Sequence, residues 1–133
     1  MSWSGVKKQS YDQEIKSWCD EMGVKKYNIN SQGEIDVDGD VWFMYKRFKE
    51  LPYKFGKVTG YFDISNNPNL ISLKNCPNHV SRLFVCDFCP QLNSLEGCPK
   101  EVKIYNFWCY NCKREFTEEE VRSLCKVKGD IVV

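Results

Sequence analysis

One phrase recurs along the chain and limits how it can fold. Phe62-x-Ile64-x-x-Asn67-x-x-Leu70-x-x-Leu73 is followed by Phe84-x-Cys86-x-x-Cys89-x-x-Leu92-x-x-Leu95. A third copy, Phe107-x-Cys109-x-x-Cys112, closes with Phe116. Upstream, Val41-x-Phe43-x-x-Lys46-x-Phe48-x-x-Leu51 has the same form with one residue fewer. The copies begin 21, 22 and 23 residues apart. That period predicts a solenoid: each copy is one coil, and its apolar side is buried only when a neighbour stacks on it.

The slots within a coil follow from strand geometry. Alternate side chains point to opposite faces, so Phe62 and Ile64, Phe84 and Cys86, and Phe107 and Cys109 point inward. Asn67, Cys89 and Cys112 fall where the chain leaves the strand, placed to donate to turn carbonyls that would otherwise be buried alone. Leu70 and Leu73, like Leu92 and Leu95, fill the opposite side. Cys76-Pro77 and Cys98-Pro99 begin the return, where proline stops any helix. Val58, Val80 and Val102 bury it.

The flanks read as caps. Residues 1–9 are expected to be a loose arm. Ser10 with Gln13 three residues on fits a capping box, and Ile15, Trp18, Cys19 and Met22 make one apolar helical face that Gly23 would end. Tyr27 to Val37 alternates around Ser31-Gln32-Gly33, the pattern of a hairpin. Residues 10–40 thus form an N-terminal cap and 41–116 the repeats. In the C-terminal cap, 117–133, Thr117-Glu118-Glu119-Glu120 opens a helix whose buried face is Val121, Leu124 and Cys125. Ile131-Val132-Val133 would add a last strand. The expected fold is a single α+β domain: a short leucine-rich-repeat-like solenoid of about four coils with a helix and hairpin at one end and a helix at the other.

Several segments resemble the small leucine-rich-repeat-like proteins of tailed bacteriophages. They are Ile35-Asp36-Val37-Asp38-Gly39-Asp40-Val41, Glu50-Leu51-Pro52, Phe62-Asp63-Ile64-Ser65-Asn66-Asn67, Ser94-Leu95-Glu96-Gly97-Cys98-Pro99 and Phe116-Thr117-Glu118-Glu119-Glu120-Val121. The resemblance spans roughly residues 27–125. It implies a viral protein at work in a bacterial host cytoplasm, and an interaction role in host takeover, such as inhibiting an antiviral defence protein or redirecting a host enzyme. This chain departs from the pattern by an extra residue near Pro68 and near Pro90, which should widen those bends, and by Phe88 where a repeat Asn is expected.

Charge and cysteine narrow the function classes. Lys+Arg number 19 and Asp+Glu 18, a balance that gives no general drive toward nucleic acid or membrane. Glu34, Asp36, Asp38 and Asp40 form an acidic stretch and Lys46, Arg47, Lys49, Lys54 and Lys57 a basic one, both read as solvated edges. No apolar run opens the chain and none reaches membrane-spanning length, so a cytoplasmic protein with mostly reduced thiols is expected. Cys86-x-x-Cys89 and Cys109-x-x-Cys112 have the spacing of a zinc site. The repeat already assigns each of these cysteines a slot, however, and free Cys serves as a small buried apolar residue. No metal or other cofactor is therefore expected. Cys89 and Cys112 are expected to be neighbours, which leaves a disulfide or a shared metal open. A redox C-x-x-C is disfavoured because it would need a helix N-terminus to lower the thiol pKa.

No Ser–His–Asp set, paired catalytic carboxylates or phosphate-cradling loop is present, so no enzyme is expected. His79 reads as an exposed loop residue, and Asp38-Gly39-Asp40 lacks the full spacing of a calcium loop. Function is sought instead among the outward residues of the strands. The central column is Trp42, Asp63, Val85 and Trp108. The flanking columns are Asp40, Tyr61, Leu83, Asn106 and Met44, Ser65, Asp87, Tyr110. Aromatics gathered on a solvent-facing sheet mark an interaction surface. Trp42, Tyr61, Asp63, Leu83, Val85, Asp87, Trp108 and Tyr110 are therefore the candidate partner-binding residues, and a host protein the candidate partner. Cross-strand aromatic pairs also stabilise a sheet on their own, and Trp42 or Trp108 could lie under a cap. Two other functions compete. One is a zinc-dependent nucleic-acid module built on Cys86, Cys89, Cys109 and Cys112 with the basic stretch. The other is a self-associating structural component.

Overall fold

A computed structural model describes residues 3–133. The repeats form a β-solenoid of about four turns, with two parallel sheets and a third, irregular side. Helix α1 (Trp3–Glu21) is followed by the hairpin β1 (Tyr27–Ile29) and β2 (Ile35–Val37). The coils then alternate between sheets. β4 (Phe55–Val58), β6 (His79–Val80), β8 (Glu101–Val102) and β10 (Lys126–Val127) continue the sheet that β1 and β2 begin. β3 (Val41–Trp42), β5 (Phe62–Asp63), β7 (Phe84–Val85), β9 (Phe107–Trp108) and β11 (Ile131–Val132) make the second sheet. A short helix, α2 (Glu118–Leu124), lies between β9 and β10.

The registers place like slots side by side. Val41, Phe62, Phe84, Phe107 and Ile131 pair in succession, as do Val37, Val58, Val80, Val102 and Val127. The valines and phenylalanines are buried. Rings meet in succession along the solenoid: Phe43 meets Phe62 edge-on at 5.9 Å, Phe62 stacks on Phe84 at 6.0 Å, and Phe84 meets Phe107 tilted at 5.0 Å between centroids. The extra residues near Pro68 and Pro90 leave the register of the second sheet unshifted. Both prolines lie exposed in the turns closed by Leu70 N–H to Asn67 O and Leu92 N–H to Cys89 O.

The Asn/Cys slot links one coil to the next. The Asn67 side chain is fully buried and donates through Nδ2 to Phe43 O at 2.8 Å and Ile64 O at 2.7 Å, while its Oδ1 accepts Lys46 N–H at 2.8 Å. Cys89 Sγ donates to Ile64 O at 3.5 Å and Cys112 Sγ to Cys86 O at 3.2 Å, each reaching into the preceding coil. A donor is thus supplied to carbonyls that the core would otherwise leave unpaired.

At the N-terminal end, Trp18 packs edge-on against Phe43, Tyr53 and Phe55 at 5.7, 5.4 and 6.1 Å, covering the outer side of the first coil. Gly23, at φ 76°, closes α1 with bonds from Gly23 N–H to Asp20 O and Val24 N–H to Cys19 O, the paired bonds of a Schellman stop. Two expectations fail here. Residues 3–9 are helical rather than a loose arm, and Ser10 lies inside α1 rather than at its start. Nothing from Val6 to Ser10 breaks a helix, and Lys8 pairs with Asp12 one turn on at 3.0 Å, so the helix runs past its buried face. Residues 1 and 2 of the expected arm lie outside the described residues.

At the C-terminal end the capping box forms as expected. Thr117 Oγ1 accepts Glu120 N–H at 3.0 Å and Glu120 Oε1 accepts Thr117 N–H at 3.2 Å. Ile131–Val132 adds the expected last strand. Leu124, however, is 48% exposed rather than part of the buried face. Val121 is the one buried residue of this seven-residue helix, and Cys125, its extended C-cap, is buried beyond it. The acidic stretch also differs from its reading as a solvated edge. Asp36 Oδ1 accepts Lys57 N–H at 2.9 Å where β2 and β4 shift register, and Asp40 Oδ1 accepts Tyr61 N–H at 2.8 Å. These carboxylates serve as acceptors for the next coil's backbone.

Candidate functional site: the outward face of the second sheet

The central column is in register as expected, Trp42 beside Asp63, Val85 and Trp108, and β11 extends it with Val132. Exposure varies sharply along it. Trp42 is 50% exposed and packs edge-on against Tyr61 at 5.9 Å. Asp63, Trp108, Tyr61, Leu83 and Tyr110 are half-buried. Val85 and Asp87, expected as contact residues, are buried, flanked in register by residues of the neighbouring coils. They shape the floor of the face and do not reach its surface. The Trp108 indole Nε1 is also buried and has no hydrogen-bond partner among the described residues.

Two further aromatics belong to this region. The fifth residue of each coil adopts a left-handed conformation: Tyr45 at φ 57°, Asn66 at 56°, Phe88 at 54° and Asn111 at 56°. Asparagine enters that region at little cost, whereas a bulky side chain there is strained. Tyr45 is nevertheless 77% exposed, with no ring contact or hydrogen bond among the described residues. Phe88 is 43% exposed and meets Tyr110 edge-on at 5.1 Å. Sequence reasoning noted Phe88 as a departure and passed over Tyr45. The signal was the alignment of both with Asn66 and Asn111.

Charge on the face has one sign. Its three columns contain Asp40, Asp63 and Asp87 and no Lys, Arg or His. Asp63 Oδ1 is engaged by Ser65, from its N–H at 2.9 Å and its hydroxyl at 2.5 Å. Asp87 Oδ1 accepts Tyr110 N–H at 2.9 Å. Burial raises the Asp87 pKa to about 6, opposed by that bond and helped by the Asp63 charge. A raised pKa means the folded state holds its proton between about pH 4 and 6 while the unfolded chain has lost it. Stability from this group is therefore full below pH 4 and lost as pH rises through 6. Asp87→Asn keeps an acceptor for Tyr110. It is expected to stabilise the protein by about 1–2 kcal/mol at pH 7 and by nothing at pH 3.5, as read from urea midpoints at the two pH values.

The chain's cysteines are spread from α1 through its coils. All eight are free thiols. Among the described residues, no three His, Cys, Asp or Glu side chains are grouped to hold a metal ion. Cys86 and Cys109 lie inside the coil, whereas Cys89 and Cys112 turn to carbonyls of the coil before. Burial raises Cys89 to about 11 and Cys112 to about 12, and holds Cys86 well up as well. That is the reverse of a redox-active thiol. His79 is exposed but lies in β6 rather than a loop, 3.5 Å from Glu101. No helix among the described residues is long and apolar enough to cross a membrane. No protein-family model, curated protein or solved structure matches this chain.

Proposed function

We propose that the chain is a non-enzymatic binding module that grips a protein partner through the aromatic rim of its second sheet. Trp42, Tyr45, Tyr61, Phe88 and Tyr110 supply the contact area. The observation that carries this reading is the left-handed backbone at Tyr45 and Phe88, where two coils place exposed rings and the other two place asparagine. At Tyr45 the strain is kept with no ring contact or hydrogen bond among the described residues, which points to use of the side chain itself. Asp40 and Asp63 suit a basic partner surface, since arginine and lysine pair with carboxylates and stack on aromatic rings. The resemblance to phage proteins suggests a host protein as partner, with inhibition or redirection as the outcome.

Capture from a bacterial lysate followed by mass spectrometry tests the reading. A partner held by the native chain is expected to be lost from Asp63→Lys and from Trp42→Ala. If every captured protein survives both changes, the sheet face is not the site. Light scattering of the isolated chain addresses self-association, and a dimer that both substitutions dissolve would favour a structural component instead.

The strain makes a separate prediction. Tyr45→Asn is expected to raise stability by about 1 kcal/mol while weakening partner binding. A destabilised variant in thermal unfolding would show that Tyr45 is held for packing rather than for contact.

A further inference from the structure

A groove of about 710 Å³ runs over another side of the solenoid and shares no residue with the second sheet. Lys54 borders β4, Lys74 lies on the turn before β6, and Lys100 borders β8. The exposed side chains of Ile71 and Leu124 add apolar surface, and Glu96 is the one carboxylate of the lining. Crossing from β4 over β6 and β8 toward α2 spans about 15 Å, the length of four to five extended residues.

The cations of this groove lack close ion pairs among the described residues. Neither Lys54 nor Lys100 forms an ion pair among the described residues, and Lys74 reaches Glu50 only at 4.0 Å. The Lys54 ammonium is half-buried and donates to the Cys76 carbonyl. Burial holds its pKa below the usual lysine value, with Glu34 opposing that and Lys100 adding to it. A desolvated cation without a counter-ion is unfavourable, and an incoming carboxylate relieves it. Leu124, expected in the core, instead turns its side chain to this groove.

We infer that this groove is a second docking site, which takes an extended acidic peptide segment with apolar residues between its carboxylates. The carboxylates meet Lys54, Lys74 and Lys100, and the apolar side chains meet Ile71 and Leu124. The site is independent of the aromatic face.

A random heptapeptide display library panned on the folded protein tests the inference. Enriched sequences are expected to alternate Asp or Glu with apolar residues. Their synthetic versions should bind saturably by fluorescence anisotropy, more weakly as salt rises. Lys74→Glu with Lys100→Glu, two exposed positions, is expected to weaken binding at least tenfold with an unchanged urea midpoint. Asp63→Lys, on the sheet face, should leave it intact. Absence of enrichment, enrichment of sequences without acids, or binding that survives the double charge reversal would each overturn the inference. Displacement of the peptide by equimolar pyrophosphate would overturn it too, by showing a site for small anions. Loss of groove binding in Asp63→Lys would tie the peptides to the aromatic face and overturn it as well.

Discussion

Asn67→Ala is expected to cost about 3–5 kcal/mol, more than the size of the deleted group suggests. The substitution leaves Phe43 O and Lys46 N–H without the Asn67 amide and Ile64 O with only the weak Cys89 thiol donor. Each buried polar group so orphaned costs about 1–3 kcal/mol. The same slot is filled by Cys89 and Cys112, which donate one weak S–H each. Asn67→Cys should therefore recover part of the loss, and Cys89→Ala should cost less than Asn67→Ala. Urea unfolding of the three variants gives the order. A cost below about 1 kcal/mol for Asn67→Ala would mean that the coils do not depend on this ladder.

The second large effect is expected at Gly60, and its cause is space rather than backbone freedom. A Cβ added there would lie 2.0 Å from Asp40 Oδ1 and 2.6 Å from the Gly39 carbonyl. The side chain that must move is the acceptor of Tyr61 N–H. Gly60→Ala is expected to destabilise the protein by about 2–4 kcal/mol through overpacking and loss of that bond. Adding Asp40→Ala should return only part of the loss, because the Gly39 backbone still blocks the methyl group. A double variant as stable as Asp40→Ala alone would refute the backbone contact.

These two sites show what a sequence reader could and could not see. Asn67 was legible because the repeat put it in a slot with a defined task. The inward Phe, Ile and Cys positions and the column from Trp42 to Trp108 were legible for the same reason, since a period of this length carries its own register. The Asp40–Gly60 contact was not. It joins an acidic stretch to a glycine one coil away, and charge patterning alone assigns such carboxylates to solvent. A matching contact joins Asp36 to Gly56, where an added Cβ would meet Oδ1 at 2.5 Å. Exposure within the face was also hidden. Val85 and Trp42 share a slot, yet one is 5% and the other 50% exposed, which depends on the side chains of adjacent coils. Leu124 misled because the helix ends there, with Cys125 already extended, so the helical face that would have included it is cut short.

The rings that lock the first coils together have a consequence for the order of assembly. Trp18, Phe43, Phe48, Phe55 and Phe62 are joined by ring contacts into one cluster near the N-terminal end. Farther on, the inward slots pass to Cys86 and Cys109, which offer far less surface. Folding of a solenoid can start at any coil and propagate, and the ring-rich N-terminal coils are expected to be that start. Each later coil is then expected to dock on a formed template and to enclose its thiols as it does so.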